Sequence, residues 1–182
     1  MAQPSLHGFS LLRNGLKYDY PFRESLGGLR SLCESVVLAL GKSEDETETA
    51  VRDLDLEIVP TVWDEQKRAG GVILSEQTNL ALSALRTRIG EQAWGFYLQA
   101  DEAISERDFE LIRSDLQRAE AEGYDCISFR YLHFWHSYER IAVGRRWYPQ
   151  EIRCVRLGSG IESYGDAQSF RGWKKRYEST SR

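Results

Sequence analysis

Apolar runs of strand length alternate along this chain with segments whose apolar residues recur every three or four positions, a rhythm that leaves few folds open. Leu6 to Leu12 is short and apolar and breaks at Arg13-Asn14-Gly15, which reads as a buried strand ending in a loop. Pro21, a favoured first helical residue, precedes Phe22, Leu26, Leu29 and Cys33, which share one face of a helix. Gly27-Gly28 inside that stretch points to a close approach by another backbone or to a frayed middle. Ser35 to Leu40 is a continuous apolar run, as in a strand covered on both faces. Gly41 ends it, and Ser43 with Glu46 has the spacing of a capping box that opens a second helix. A strand from Leu56 to Trp63 follows, then a helix capped by Ser75 that carries Leu80, Leu82 and Leu85. Trp94 to Leu98 is the fourth strand. Ser105 opens a helix with Phe109, Ile112, Leu116 and Ala119 on one face and Gly123 past its end.

That order specifies an α/β fold, a Rossmann-like, mostly parallel sheet flanked by helices, as far as about residue 130. Beyond it the pattern turns mixed: Ile127, Phe129 and Tyr131 alternate with Ser128 and Arg130, and Ile152 to Leu157 alternates again. Between them rings crowd together at Tyr131, Phe134, Trp135, Tyr138, Trp147 and Tyr148. Neither repeat nor linker interrupts the chain, so a single domain is expected over 1–172, with a polar basic tail at 173–182.

Composition narrows the partners. The 182 residues carry 24 basic against 28 acidic side chains, and a formal charge of −4 argues against a nucleic-acid partner. No apolar run reaches the roughly 20 residues of a transmembrane segment. The N-terminus has no basic stretch followed by an apolar one, and Cys33, Cys126 and Cys154 are odd in number and far apart. A reducing cytoplasmic location, without disulfide framework or zinc, is the expectation. Lys174-Lys175-Arg176, beside Trp173 and Tyr177, allows a peripheral membrane contact with anionic lipid.

In an open parallel sheet, ligands bind beyond the carboxyl ends of the strands. Four polar groups fall at such ends: Arg13-Asn14, Ser43-Glu44-Asp45, Trp63-Asp64-Glu65 and Gln99-Ala100-Asp101-Glu102. Their convergence argues for one cleft. Ser43 and Asp45 are equally ordinary helix-start residues, and Asp101 and Glu102 suit the approach to a helix.

The order Trp63, then Ser75-Glu76-Gln77-Thr78-Asn79-Leu80-Ala81-Leu82, then Trp94-Gly95-Phe96-Tyr97-Leu98-Gln99-Ala100-Asp101-Glu102 resembles the family-2 glycosyltransferases. That family pairs a tryptophan with an Asn-x-Ala-Leu helix and a hydrophobic strand ending in Asp-Ala-Asp-Glu or a near variant. Gly8 to Asn14 and Gly41 to Thr47 resemble its first two strand ends, so the likeness spans about residues 6 to 130. It implies a nucleotide-diphospho-sugar transferase of the GT-A type, with a nucleotide-binding half at about 6–125 and an acceptor half at about 126–172.

The resemblance implies a nucleotide-sugar donor, a UDP-sugar among the candidates, and a carbohydrate or lipid-linked acceptor, with inversion at C1. Arg13 and Asn14 would lie near the base, Ser43 and Asp45 near base or ribose, and Asn79 at the pocket floor. Trp63 and Gln99 complete the expected substrate-binding set. Asp101 is the expected metal ligand, for Mn²⁺ or Mg²⁺ bridging the diphosphate. The sequence departs from the family at three places: Gln99 stands where the first Asp of the metal motif is usual, Leu40 or Gly41 where a nucleoside-contacting Asp is expected, and Thr78 where Arg or Lys is common.

A catalytic base should take the acceptor hydroxyl proton. Asp166, in Ser163-Tyr164-Gly165-Asp166-Ala167-Gln168, is the first candidate and Glu139 the second. The ring-rich segment, with Arg145 and Arg146, suits an acceptor platform or the core under a long loop. His133 and His136 are too awkwardly spaced in a strand or loop to share a metal. Family members commonly continue past the point where this chain stops, so an alternative is a non-catalytic nucleotide- or glycan-binding protein of the same fold. Transfer of a nucleotidyl group would need a glycine-rich phosphate loop that Arg13-Asn14-Gly15 does not supply.

Overall fold

A computed structural model describes residues 3–144 and 147–180. Strand β1 (Leu6–Leu12), helix α1 (Phe22–Leu32), strand β2 (Val36–Gly41), the short helix α2 (Thr47–Ala50) and strand β3 (Glu57–Thr61) come first. Helix α3 (Val72–Ile89), strand β4 (Trp94–Tyr97), helix α4 (Phe109–Ala121) and strand β5 (Cys126–Arg130) follow. Strands β6 (Gln150–Arg156), β7 (Glu162–Tyr164), β8 (Ser169–Arg171) and β9 (Arg176–Glu178) close the chain.

Seven strands form one sheet in the order β3-β2-β1-β4-β6-β5-β9, and β7 with β8 forms a separate hairpin. The first four of that order are parallel. Strand β6 runs antiparallel to both β4 and β5, so β5 and β4 point the same way. The mixed C-terminal part therefore joins the same sheet. Strands β1 and β2 are buried along their whole length, which explains their near-continuous apolar sequences.

Helix α3 covers one face, with Ala81, Leu82 and Leu85 against Phe9, Leu11, Val37 and Ala39. Helices α1 and α4 cover the other, where Leu29, Leu32, Ile112 and Leu116 meet Val36, Trp94, Phe96 and Ile127. All three cysteines are free and buried, and burial pushes the Cys126 thiol up to about 12.

Several local readings change. Pro21 is the N-cap residue of α1 and not its first helical position. A Cβ at Gly27 would meet nothing within 4 Å and one at Gly28 only the Ile104 carbonyl at 3.8 Å, so the close approach lies elsewhere: at Gly8, where a Cβ would meet Leu29 at 2.7 Å. Ser43 does not cap a helix; α2 begins at Thr47, whose N–H donates to Asp45 Oδ1 at 2.9 Å. Ser75 lies inside the first turn of α3, which starts after Gly71, and donates to the Val72 carbonyl at 2.9 Å. The stretch read as a tail carries β9, paired parallel with β5. Its anchor is the buried Asp115, which accepts from Tyr177 Oη at 3.1 Å and from Ser179 Oγ at 2.5 Å. A buried carboxylate needs such partners, and they come from a segment too short and polar to show a strand period.

Candidate active site

The chain runs from β1 outward to β2 and β3, then returns to place β4 on the other side of β1. Between β1 and β4 the strand order reverses, and at such a switch point the loops part to leave a crevice. A cleft of about 410 Å³ lies there, with Arg13 and Asn14 from the end of β1, Trp63 from beyond β3, and Gln99 and Asp101 from beyond β4. Tyr18, Tyr20, Arg68 and Gly71 complete its polar and aromatic rim.

Arg13 ties three strand ends together. Its Nε donates to the Lys42 carbonyl at 3.2 Å, its guanidinium lies 5.5 Å from the centre of the Trp63 ring, and it pairs with Glu65 and, at 3.8 Å, with Glu44. Asn14 takes a left-handed backbone, φ 54°, which asparagine tolerates better than most residues. Its N–H donates to Ser43 Oγ at 3.0 Å, and its Oδ1 accepts from the Glu44 N–H at 2.8 Å. Asp45 accepts from the Lys17 N–H at 2.7 Å. Desolvation works against the Asp45 charge, but hydrogen bonds from Thr47 and Lys17 outweigh it and hold the carboxyl below its usual range. Ser43 and Asp45 thus stand behind Asn14 and brace the loop that carries it, and neither lines the cleft.

Beyond β4, burial, and then the neighbouring Glu102 charge, raise the Asp101 pKa above that of an ordinary aspartate. Glu102 turns away from the cleft into a two-pronged pair with Arg153 of β6, at 2.7 and 2.9 Å. Arg153 is 3% exposed. Burial alone would lower its pKa, but the Glu102 charge and hydrogen bonds raise it and hold the guanidinium cationic. The same guanidinium donates to the Gln168 carbonyl at 2.8 Å and lies against the Tyr97 and Tyr131 rings at 5.4 and 5.2 Å.

Asn79 faces away from the cleft floor. Its amide clamps β7 in both directions, Nδ2 to the Ser163 carbonyl at 2.9 Å and the Ser163 N–H to Oδ1 at 2.8 Å. The clamp sets the following turn, 164–168, against the cleft. Asp166 packs on Gly71, where an added Cβ would lie 2.5 Å from Asp166 Cβ, and Gln99 Nε2 donates to the Ala167 carbonyl at 3.2 Å. The candidate base therefore sits on an exposed turn beside a residue that lines the cleft.

The structure brings Arg13, Asn14, Trp63, Gln99 and Asp101 together in one hollow, holds Asp166 at its rim, and places Ser43, Asp45 and Asn79 as supports. Glu139 lies on the aromatic loop after β5, and Arg145 and Arg146 lie outside the described residues. Tyr18, Tyr20, Arg68 and Gly71 escaped the sequence reading. Tyr18-Asp19-Tyr20 beyond the first strand, and Arg68 just before the Gly70-Gly71 break, are the signals that could have found them.

A divalent ion would need oxygen donors here. Glu102 is committed to Arg153, and among the described residues no group of three His, Cys, Asp or Glu side chains could hold a metal. Asp101 alone fits an ion of the Mg²⁺ or Mn²⁺ kind that takes one carboxylate and completes its shell with substrate phosphates and water.

No family model matches the sequence, and no curated protein matches it either. Among solved structures the chain is similar to Staphylococcus aureus TarS, a glycosyltransferase, with TM-score 0.62 and 13% identity over 98% of this chain and 35% of that one. It thus spans about a third of the length of the TarS chain. A manganese complex of Rv0371c from Mycobacterium tuberculosis H37Rv gives TM-score 0.42 and 15% identity, over 82% of this chain and 70% of that one. The 4-diphosphocytidyl-2C-methyl-D-erythritol synthase structure gives TM-score 0.49 and 8% identity, over 87% and 78%. The likeness to TarS is one of fold. That fold is α/β of the GT-A type, a mostly parallel sheet with helices on both faces.

Proposed function

We propose that this chain is a glycosyltransferase domain that binds a nucleotide-diphosphate sugar in the crevice between β1 and β4. One observation carries the reading: the cleft at the switch point gathers Arg13, Asn14, Trp63, Gln99 and Asp101 from three strand ends. A planar base and ribose suit the side formed by Arg13, Asn14 and the Trp63 ring, with Ser43 and Asp45 holding that loop in shape. Arg68, at the entrance to α3, supplies a cation for the diphosphate. Asp101 would hold an Mg²⁺ or Mn²⁺ ion that arrives with the donor, and the ion when bound offsets charge on the leaving diphosphate.

In the proposed reaction the acceptor hydroxyl oxygen bonds to C1 of the sugar while its proton passes to the Asp166 carboxylate. The bond from C1 to the diphosphate oxygen breaks, and the nucleoside diphosphate leaves with the electron pair. Attack from the face opposite the leaving group inverts C1. Asn79 and Gln99 act by holding the turn that presents Asp166.

Calorimetry with a panel of nucleotide sugars, with and without Mn²⁺, tests the reading. A donor should bind with metal-dependent heat, and Asp101→Asn should weaken that binding about tenfold or more. Absence of heat with every donor, with or without metal, sinks it. Gln99 favours a second reading, a non-catalytic binding protein, because an amide tied to Ala167 replaces an acid of the motif. Tight donor binding indifferent to metal, without product, would select that one.

A further inference from the structure

We infer that the hairpin at 131–144 docks on the surface of an anionic lipid bilayer. Backbone hydrogen bonds tie its two arms together. The Ala142 N–H donates to the His133 carbonyl at 2.8 Å, the Trp135 N–H to the Arg140 carbonyl at 2.9 Å, and Phe134 and Ile141 form a bridge. A segment entering an apolar boundary must satisfy its own backbone in this way. Its side chains do the reverse. Leu132, Phe134, Trp135, Tyr138, Ile141 and Val143 are all exposed, Tyr138 at 83% and Val143 at 88%. Single exposed apolar residues are ordinary, whereas six on one hairpin mark an interaction surface.

The kind of residue selects the occupant. A sugar platform needs open ring faces with polar neighbours, and exposed Val143, Ile141 and Leu132 contribute nothing to it. Aliphatic side chains beside tryptophan and tyrosine match the boundary between headgroups and acyl chains. Charge agrees: residues 130–148 hold four arginines against one glutamate, in a chain whose formal charge is −4. Of these, Arg130 and Arg140 are exposed at the base and turn of the hairpin.

The hairpin leaves the carboxyl end of β5, which points the same way as β4, so it stands on the rim that holds the cleft. Tyr131 at its root lies on Arg153, the partner of Glu102. Docking therefore turns the cleft toward the bilayer and favours a lipid-linked acceptor, a consequence that rests on the function proposed above.

Sedimentation of the full chain with vesicles of roughly three-to-one phosphatidylcholine and phosphatidylglycerol tests the inference. The chain should sediment with them, and less with phosphatidylcholine alone. The double variant Trp135→Ser, Val143→Asp should lose about tenfold or more in partitioning, and Arg140→Glu less. These positions are exposed, so an unchanged melting temperature should accompany the loss. No association of the wild type with the mixed vesicles overturns the inference, as does association that the double variant retains. A wild-type dimer that the variant dissolves would assign the hairpin to a second copy of this chain and overturn it equally. Donor calorimetry on the same variant should be unchanged, which separates failure here from failure of the glycosyl-transfer reading.

Discussion

Two loops leave the sheet on the same rim and are built in opposite ways. The turn after β4 is drawn into the protein, with Leu98 and Ala100 buried and Glu102 locked to Arg153 beside the exposed Asp101. The loop after β5 points outward, and its rings mostly touch one another: His133 with Trp147 at 4.9 Å, Phe134 with Tyr138 at 5.7 Å, Trp135 with Trp147 at 5.6 Å. Buried polar groups need partners, so the first loop has its shape dictated by charges from distant strands. The second is anchored at its root, where Tyr131 lies on Arg153 and His133 meets Trp147 and Tyr148, and beyond that root its side chains face water. A substitution in the inner turn should therefore disturb stability and ligand binding together, whereas one in the outer loop should change surface behaviour only.

The largest effect should follow Arg153→Met, which leaves Glu102 buried and uncompensated. We expect a loss of about 3–5 kcal/mol in urea denaturation, with part recovered when Glu102→Gln is added. A loss below about 1 kcal/mol would break the contrast between the loops. Gly71→Ala comes next. Gly71 has φ 71°, and a Cβ there would lie 2.6 Å from Asp166 Cα, so left-handed strain of about 1–2 kcal/mol joins a displaced turn. Chemical denaturation should show the destabilisation, and product formation should fall with it if Asp166 is the base.

Asp101 sharpens the comparison through pH. Its folded pKa is raised by burial and by Glu102, so the folded state holds the proton more tightly than the unfolded chain does. Its contribution is full below the unfolded value and is lost as pH rises through the folded one. Because solvent screens this exposed carboxylate, Asp101→Asn should melt only slightly higher than the wild type at neutral pH and level with it in acid, while losing metal-dependent donor affinity. A variant that melts lower at neutral pH would contradict the raised pKa. The smallest effect belongs to the outer loop: Trp135→Ser should move unfolding free energy by no more than about 0.5 kcal/mol, read in the same urea titration.

Much of the fold was legible in particular residues. The mostly apolar stretch Leu6–Leu12 announced a buried strand, the unbroken run Ser35 to Leu40 a strand covered on both faces, and Phe109, Ile112, Leu116 and Ala119 the inner face of α4. Helix starts were read less well, because Ser43 and Ser75 have the chemistry of caps while their hydroxyls bond to the Gly41 and Val72 carbonyls instead. The cleft was half legible. Arg13, Asn14, Trp63, Gln99 and Asp101 stand at strand ends, where an ordering argument can reach them, while Tyr18, Tyr20, Arg68 and Gly71 arrive from loops with no period to follow.

By itself the sequence determined the main elements as far as β6, their order along the chain and the rim where polar groups would gather. Periodicity is a local property, written within a turn of helix or a few residues of strand. Only the tertiary structure decided that Glu102 would turn from the cleft to meet Arg153, that Asn79 would clamp Ser163, and that Asp115 would capture β9. Those pairings join residues 51, 84 and 64 positions apart. A charge or an amide records no distant partner in its own neighbourhood, and the choice is made when packing removes water and leaves each buried group one remaining place to bond.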